Sequence, residues 1–227
     1  MKKILLLFLI LITSCNTDKN SMIISGEIDG LRKGTLYLQT LKDSLIISLD
    51  SVKIDGDSNY KLKTNIEEPD LFYLYLDKYD GDSLNDVITF FGNKGDIIIN
   101  SRLQTFDSGY EISGSKNSEL LNEYLSIIRQ YNFQNLDLLE IFYNAQIENN
   151  QDRIDSVNLE IENLIRRKYL YSLNFAITNS DYEISPYIAI SQIPDANKEL
   201  LLKLYDTLSI EVQNSKYGKL LKNISQD

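Results

Sequence analysis

Between residues 23 and 113, apolar and polar residues alternate with a period of about two, the pattern of half-buried β-strands. Turn-forming pairs such as Asp29-Gly30 and Asp55-Gly56 separate the alternating segments. Eight short segments, rich in Ile, Leu, Tyr and Phe, carry the pattern: 23–28, 35–40, 45–54, 60–64, 71–78, 86–91, 96–101 and 110–113. Strands at this spacing predict an antiparallel β-sandwich or barrel.

From Ser115 onward the apolar residues recur at steps of three and four, which indicates amphipathic helices. The runs 118–150 and 151–179 are long enough to form an antiparallel helix pair, with the break near Asn149. Further along, Ser185-Pro186 has the pattern of an N-cap followed by proline at the first helical position. A last predicted helix covers residues 197–213.

A different pattern occupies the first fifteen residues. Lys2 and Lys3 precede an apolar run over residues 4–12, and Thr13 and Ser14 then lead to Cys15, the only cysteine. The run is too short to span a bilayer, which takes about 20 apolar residues, but it has the length of a secretory signal core. We therefore expect cleavage rather than retention as a membrane helix.

The order Ile12, Thr13, Ser14, Cys15 resembles the lipobox of bacterial lipoproteins, in which the cysteine becomes the lipidated first residue. This resemblance implies diacylglycerol on the Cys15 thiol and a further acyl chain, such as palmitate, on the new amino terminus. Two chains are about the number that makes membrane attachment stable. We expect an exported protein anchored in the cell envelope, at the outer membrane, facing the periplasm or the surface.

These patterns together predict an α+β protein. We divide the chain into a signal peptide (1–14), a lipidated tether (15–21), a β-sandwich domain (22–114) and an α-helical bundle region (115–227). Removal of residues 1–14 leaves 213 residues and takes two lysines from a chain of net charge −10, which makes the mature charge −12. Because nucleic acids and anionic lipid surfaces are bound through clustered Lys and Arg, this acidic balance argues against both as partners.

The residue counts exclude several kinds of catalysis. With Cys15 consumed by lipid, no thiol remains for a nucleophile, a disulfide or a redox pair. The chain has no histidine, which excludes Ser-His-Asp and Cys-His catalysis and makes zinc, copper and haem sites improbable. We expect a protein without cofactor or metal that is not an enzyme. Carboxylate chemistry stays open, as in glycosidases that use two acids about 5–10 Å apart.

Four stretches then carry a family resemblance, reinforced by a helical segment over residues 185–224. They are GEIDGLRKGTLYLQ (26–39), DSVKIDGDSNYKL (50–62), FFGNKGDIIINS (90–101) and ISGSKNSELLNEY (112–124). In this order they resemble the domain of unknown function that precedes thioredoxin-like or AhpC-like domains in lipoproteins of Bacteroidota. The resemblance implies an accessory domain, here without the thioredoxin domain, whose redox residues correspond to nothing in this sequence.

Two acidic segments have the residue types of calcium sites. Asp55, Asp57 and Asn59 are spaced like the first ligands of an EF-hand loop, but Tyr60 stands at the glycine position and Ile66 at the closing acid. We therefore interpret this segment as a hairpin turn. A second acidic loop contains four candidate oxygen ligands, and we interpret it as a long solvated turn: Asp80, Asp82, Asn85 and Asp86.

Aromatic residues supply the candidate ligand contacts. In the segment 71–78, a central strand buried beneath the helices would explain Phe72, Leu74 and Leu76. Tyr73 and Tyr75 would then lie on the opposite face, where they could stack on sugar rings or on a partner protein. The alternative, which we favour, makes these tyrosines a second layer of a sandwich core.

Three functional hypotheses follow. The first is a non-catalytic binding or adaptor module of the cell envelope, accessory to a separate thioredoxin-like protein. The second is a surface glycan- or protein-binding lipoprotein that uses Tyr73 and Tyr75. The third is a carboxylate-dependent glycosidase.

Overall fold

In a computed structural model that describes residues 20–81 and 86–226, an N-terminal β-region is followed by helices, which confirms the α+β class. The strands of the described residues are β1 Ser21–Asp29, β2 Lys33–Lys42, β3 Leu45–Asp55, β4 Asn59–Asn65, β5 Asp70–Asp77, β6 Val87–Gly92, β7 Gly95–Arg102 and β8 Glu111–Ser113. The helices are α1 Lys116–Ile147, α2 Gln151–Thr178, α3 Ile184–Gln192, α4 Lys198–Thr207, α5 Ile210–Gln213 and α6 Lys216–Gln226.

The strands form a sandwich of two sheets rather than a closed barrel. The first sheet has the order β4-β1-β7-β8 and the second β3-β2-β5-β6. One pair departs from the predicted antiparallel arrangement, because β1 and β7 run parallel, with Ile24 opposite Ile97. Strands joined by a tight hairpin must be antiparallel, whereas β1 and β7 are far apart in sequence and are free of that constraint.

The sandwich core fills the space between the two sheets, and every second side chain along a strand points into it. Phe72, Leu74 and Leu76 of β5 point into this core, where they are at most 4% exposed. The expectation that they lie beneath the helices was therefore wrong: the opposite sheet covers them. Neither Tyr73 nor Tyr75 belongs to this core.

The segment with EF-hand-like spacing connects the two sheets, since β3 belongs to one sheet and β4 to the other. It is therefore a turn, but not the predicted hairpin turn within a sheet. Asp57 Oδ1 accepts hydrogen bonds from the backbone N–H of Asn59 at 3.0 Å and from its side-chain amide at 2.8 Å. These bonds lower the pKa of Asp57 and give the carboxylate a structural role in the turn.

The helical region joins the sandwich at the edge strand β6. Phe91 is completely buried, and its ring packs against Tyr187 of α3 and Tyr217 of α6. Its backbone N–H donates to Ser118 Oγ at 3.0 Å, and its carbonyl accepts from the hydroxyls of Ser118 and Ser115. The first turn of α1 thus satisfies the backbone groups that an edge strand leaves unpaired.

Two predicted helix boundaries were wrong. Ser185 is not an N-cap: α3 begins at Ile184, and the buried Ser185 hydroxyl donates to the Ala176 carbonyl at 2.7 Å. The single helix predicted over 197–213 is divided, because Leu208 is extended and Ser209 caps a new helix by accepting from Val212 N–H. At Ser185 a buried contact takes the place of the expected cap, whereas at Ser209 a local cap begins a new helix.

A buried tyrosine at the base of the α1–α2 pair is expected to lower the stability of the folded protein at alkaline pH. Tyr124 shares a 2.6 Å hydrogen bond with Ser172, and burial raises its pKa from 10 to about 12. Between pH 10 and 12 the unfolded chain loses this proton while the folded chain keeps it, so stability present below pH 10 is lost as pH rises. We expect Tyr124→Phe to remove on the order of 2 kcal/mol of this loss.

The measurement is urea unfolding of both proteins at pH 9 and pH 12. Burial also raises the pKa values of Tyr60 and Tyr217, so the wild-type stability falls by more than the Tyr124 share. The readout is therefore how much the unfolding free energy of each protein falls from pH 9 to pH 12, compared between the two proteins. This difference does not depend on the stability that Tyr124→Phe loses at every pH with its hydrogen bond. An equal fall in unfolding free energy in the two proteins would contradict the prediction.

Candidate binding surfaces

The first candidate surface is the outer face of the second sheet, which carries both tyrosines singled out from the sequence. Tyr73 and Tyr75 are half-buried there, in adjacent rows of β5. Tyr75 lies opposite Tyr37 of β2, and the two rings stack with centroids 6.0 Å apart and an interplanar angle of 25°. Tyr73 pairs with Thr89 on one side and Gln39 on the other, so it is no part of that stack. The face thus presents one aromatic pair beside a separate tyrosine.

Charged groups border the Tyr37–Tyr75 pair. Asp86 is only 2% exposed, and its Oδ1 lies 2.9 Å from Lys78 Nζ. This hydrogen bond raises the pKa of Lys78, and burial together with the carboxylates of Asp77 and Asp86 raises that of Tyr75. The prediction of a solvated turn was therefore wrong for Asp86. Asp80 lies at the surface with its Oδ2 3.6 Å from Lys78 Nζ, and Asp82 and Asn85 lie outside the described residues.

A second candidate is an acidic cleft of about 540 Å³ where the sandwich meets the helical region. Four carboxylates line it: Glu67, Glu68, Glu183 and Glu211. Glu68 accepts from the backbone N–H of Lys216 at 2.8 Å, and Glu183 accepts from the Asn117 amide at 2.7 Å. Glu68 therefore holds α6 to the sandwich, and Glu183 holds the start of α3 to α1, so two of the four carboxylates have structural roles.

A neighbouring ion cluster strengthens the same junction. Asp70 of β5 accepts from the Tyr217 hydroxyl and from Lys216 Nζ, each at 2.5 Å. Burial and the Asp70 carboxylate raise the pKa of Tyr217, so this phenol stays protonated and continues to donate. Within residues 20–81 and 86–226, no group of three His, Cys, Asp or Glu residues is placed to hold a metal ion.

The third candidate is the outer part of the α1–α2 pair, residues 132–168, which we call the hairpin arm. The two helical clusters of buried residues include α1 only up to Tyr131 and α2 only from Tyr169, so the arm lies beyond both. Within the arm only Ala145, Val157 and Leu164 are buried. Six of its large apolar side chains are at least 59% exposed: Phe133, Leu136, Tyr143, Ile147, Leu159 and Ile165.

Charge is distributed unevenly along the hairpin arm. Residues 132–165 contain seven acidic residues and one basic residue, Arg153. Arg166, Arg167 and Lys168 follow at the base, and the two arginines line a groove of about 660 Å³ between the helices. Lys168 Nζ donates to Asn132 Oδ1 across the base of the arm at 3.1 Å. The outer arm is therefore both acidic and apolar.

Sequence reasoning identified the two helices of the arm but missed its exposed side chains. The signal was present in the sequence, because α1 carries apolar residues on two faces rather than on the single stripe that a surface helix buries. The predicted lipid attachment at Cys15 lies outside the described residues. Among the described residues no helix is long and apolar enough to span a membrane.

The fold defines the class: an α+β protein in which a two-sheet sandwich is joined through an edge strand to a projecting helical hairpin. Residues 22–121 match the family model described as a domain of unknown function, DUF4369. The match covers the sandwich and the first residues of α1, so the hairpin arm lies beyond it. No curated protein and no solved structure matches the chain.

Proposed function

We propose that this protein is a non-catalytic lipoprotein of the cell envelope that acts as a binding or adaptor module. The hairpin arm is its binding surface. The observation that carries the proposal is the exposure of six large apolar side chains on an arm that the two helical clusters of buried residues do not reach. Exposed apolar clusters of this kind typically mark protein interaction sites.

The location follows from the N-terminal residues. A cationic start, a short apolar run and a lone cysteine after a small residue support cleavage and lipidation at Cys15. Lipid on Cys15 tethers the sandwich, which begins at Ser21, close to the membrane surface. The resemblance to domains that precede thioredoxin-like domains supports a thioredoxin-like protein as the partner.

A second candidate function is glycan binding at the outer sheet face. The Tyr37–Tyr75 stack favours it, since aromatic rings offer apolar faces to sugar rings and the nearby Asp77 carboxylate supplies acceptors for hydroxyl groups. Tyr73, in the next row, would extend the contact. This face and the hairpin arm are separate surfaces, so one experiment can distinguish the two functions.

The test is affinity purification of the lipidated protein from its own cross-linked cell envelope, with mass spectrometry of the recovered proteins and glycans. The arm variant combines Leu136→Asp with Leu159→Asp, one substitution on each helix. Both leucines are 59% exposed, so the fold should survive, and circular dichroism checks this. We expect the arm variant to lose at least tenfold of the specific protein partner, and Tyr75→Ala to retain it.

Each outcome points to one surface. Loss of a partner only with the arm variant supports the adaptor function, and a thioredoxin-like partner would support the accessory role. Recovery of glycans that Tyr75→Ala abolishes, with no partner lost in the arm variant, would replace the adaptor proposal by glycan binding. An unchanged set of proteins and glycans in both variants would contradict both candidate functions.

A further inference from the structure

One exposed stripe of the hairpin arm has the spacing of a coiled-coil seam. Phe133, Leu136, Tyr143 and Ile147 of α1, which we call the α1 stripe, are 59–79% exposed. With Glu140 between Leu136 and Tyr143, they follow each other at steps of three, four, three and four residues. That is the a and d pattern through which two helices pack side by side.

The α1 stripe faces away from α2. The residues that α1 turns toward its partner helix at this level, Tyr131, Leu138 and Ala145, recur every seven residues. Tyr131 packs its ring 6.1 Å from that of Tyr171 on α2, and Ala145 is buried. Leu138 and Ala145 occupy heptad position f, on the side of α1 opposite the a and d positions of the stripe. The stripe is thus a second apolar face on α1, whose first apolar face already packs against α2.

The charges that α1 itself places around the stripe have a single sign. Between Arg129 and Arg153 the chain contains no Lys or Arg, but it contains four acids: Asp137, Glu140, Glu148 and Asp152. Glu140 lies within the seam itself, at an a position, and Asp137 flanks it at an e position. Charges at these positions decide which helix can pair with the seam.

The position of Glu140 disfavours a second copy of this chain as the occupant. Glu140 is the midpoint of residues 133–147, so an antiparallel pairing of two stripes places it against its own copy. A parallel pairing in register does the same, because equivalent a positions face each other. Two carboxylates in an apolar seam repel, and desolvation adds to the cost. A cation at the matching position removes both penalties.

We propose that the α1 stripe docks a basic amphipathic helix of a partner protein, with apolar residues at heptad spacing and Lys or Arg opposite Glu140. This inference rests on the proposed adaptor function and specifies its partner. The seam of residues 133–147 is about 21 Å long, so the contact area is at the low end for specific complexes. The complex is therefore transient and sensitive to salt.

The test uses the full-length protein in detergent and two synthetic helical peptides of about three heptads. The peptides carry Leu at the a and d positions and differ only at the central a position, which is Lys in one and Glu in the other. Fluorescence anisotropy gives both affinities. We expect the Lys peptide to bind about tenfold more tightly, and Glu140→Lys to reverse the preference, because the charge pair is then exchanged.

Matched substitutions distinguish specific binding at the α1 stripe from nonspecific apolar association. Leu136→Asp replaces a leucine of the α1 stripe that is 59% exposed, and Leu45→Asp replaces a leucine of β3 that is 67% exposed and lies outside the hairpin arm. Leu136→Asp should weaken the Lys peptide at least tenfold, and Leu45→Asp should leave its affinity within twofold. Sedimentation velocity should show a monomer up to the highest concentration used.

Four results would overturn the inference: equal affinity for the two peptides, no reversal in Glu140→Lys, equal losses in the two aspartate variants, or a dimer that Leu136→Asp abolishes. The adaptor function is judged separately, by partner recovery with the double arm variant. If that recovery is lost while the peptides fail, the arm binds a partner of different chemistry. If both experiments fail, the arm is not a binding surface.

Discussion

Replacing Cys15 with serine is expected to abolish acylation of the protein. A thioether needs the thiol, and the chain has no second cysteine. Each buried CH₂ contributes about 0.8 kcal/mol to membrane binding, and stable anchoring takes two lipid signals, so we expect a variant without acyl chains to lose its lipid anchor. The measurement is metabolic labelling with palmitate, followed by partition between detergent and aqueous phases.

The matched control is Thr17→Ser, which changes a nearby residue and keeps the thiol. It should incorporate palmitate and enter the detergent phase as the wild type does. Intact mass of the mature protein provides a second readout, because cleavage before Cys15 removes residues 1–14 and lipidation adds the acyl mass. Palmitate incorporation into Cys15→Ser at the wild-type level would show that the lipid is attached elsewhere.

Truncating Phe91 to alanine is expected to cost about 3–5 kcal/mol of unfolding free energy, the range for a buried phenylalanine. Phe91 has no exposed surface, and its ring contacts Tyr187 and Tyr217, so the cavity opens where α3 and α6 meet the sandwich. The hydrogen bonds from Ser115 and Ser118 to the Phe91 backbone are kept, which restricts the loss to packing. Urea unfolding monitored by circular dichroism measures it.

Phe133→Ala supplies the comparison, because it removes the same side chain from a position that is 64% exposed. Its unfolding free energy should stay within about 0.5 kcal/mol of the wild type. Similar losses in the two variants would mean that Phe133 is covered in the folded protein, which would also contradict the exposed α1 stripe. A loss below about 1 kcal/mol for Phe91→Ala would show that the junction contributes little to stability.

Local patterns predicted the elements well. All eight predicted strands have a counterpart, because alternation of apolar and polar residues depends only on which face of a strand is buried. The break between α1 and α2 was also predictable, since Asn150 caps α2 by accepting from Arg153 N–H at 3.1 Å. Both signals reside in a few consecutive residues, and no distant contact is needed to read them.

Contacts between distant residues decided what the patterns left open. Ser185 looked like a helix cap, but its hydroxyl donates to Ala176, nine residues away, in the buried core of the helical region. Asp86 looked solvated, but its carboxylate is buried and paired with Lys78. In each case the local preference of the residue was real and a tertiary contact outweighed it.

For the candidate surfaces too, part of the arrangement was predictable from local pattern and part was not. The pattern of β5 placed Tyr73 and Tyr75 on the face opposite Phe72, Leu74 and Leu76, as the structure has them, because successive side chains of a strand alternate. Which face the core would occupy was not predictable, since two sheets and several helices compete for apolar surface. The exposed α1 stripe was missed for the same reason: an apolar residue on a helix does not reveal whether anything covers it.

For this protein, then, the sequence by itself determined the order of strands and helices, an N-terminal pattern that resembles a lipobox and the absence of histidine and of any cysteine besides Cys15. The tertiary structure alone decided the two-sheet arrangement, the parallel β1–β7 pair, the docking of Phe91 and the projection of the hairpin arm. The physical reason is range: periodicity and turn residues act within one element, whereas burial depends on which elements meet, and only the folded chain brings them together.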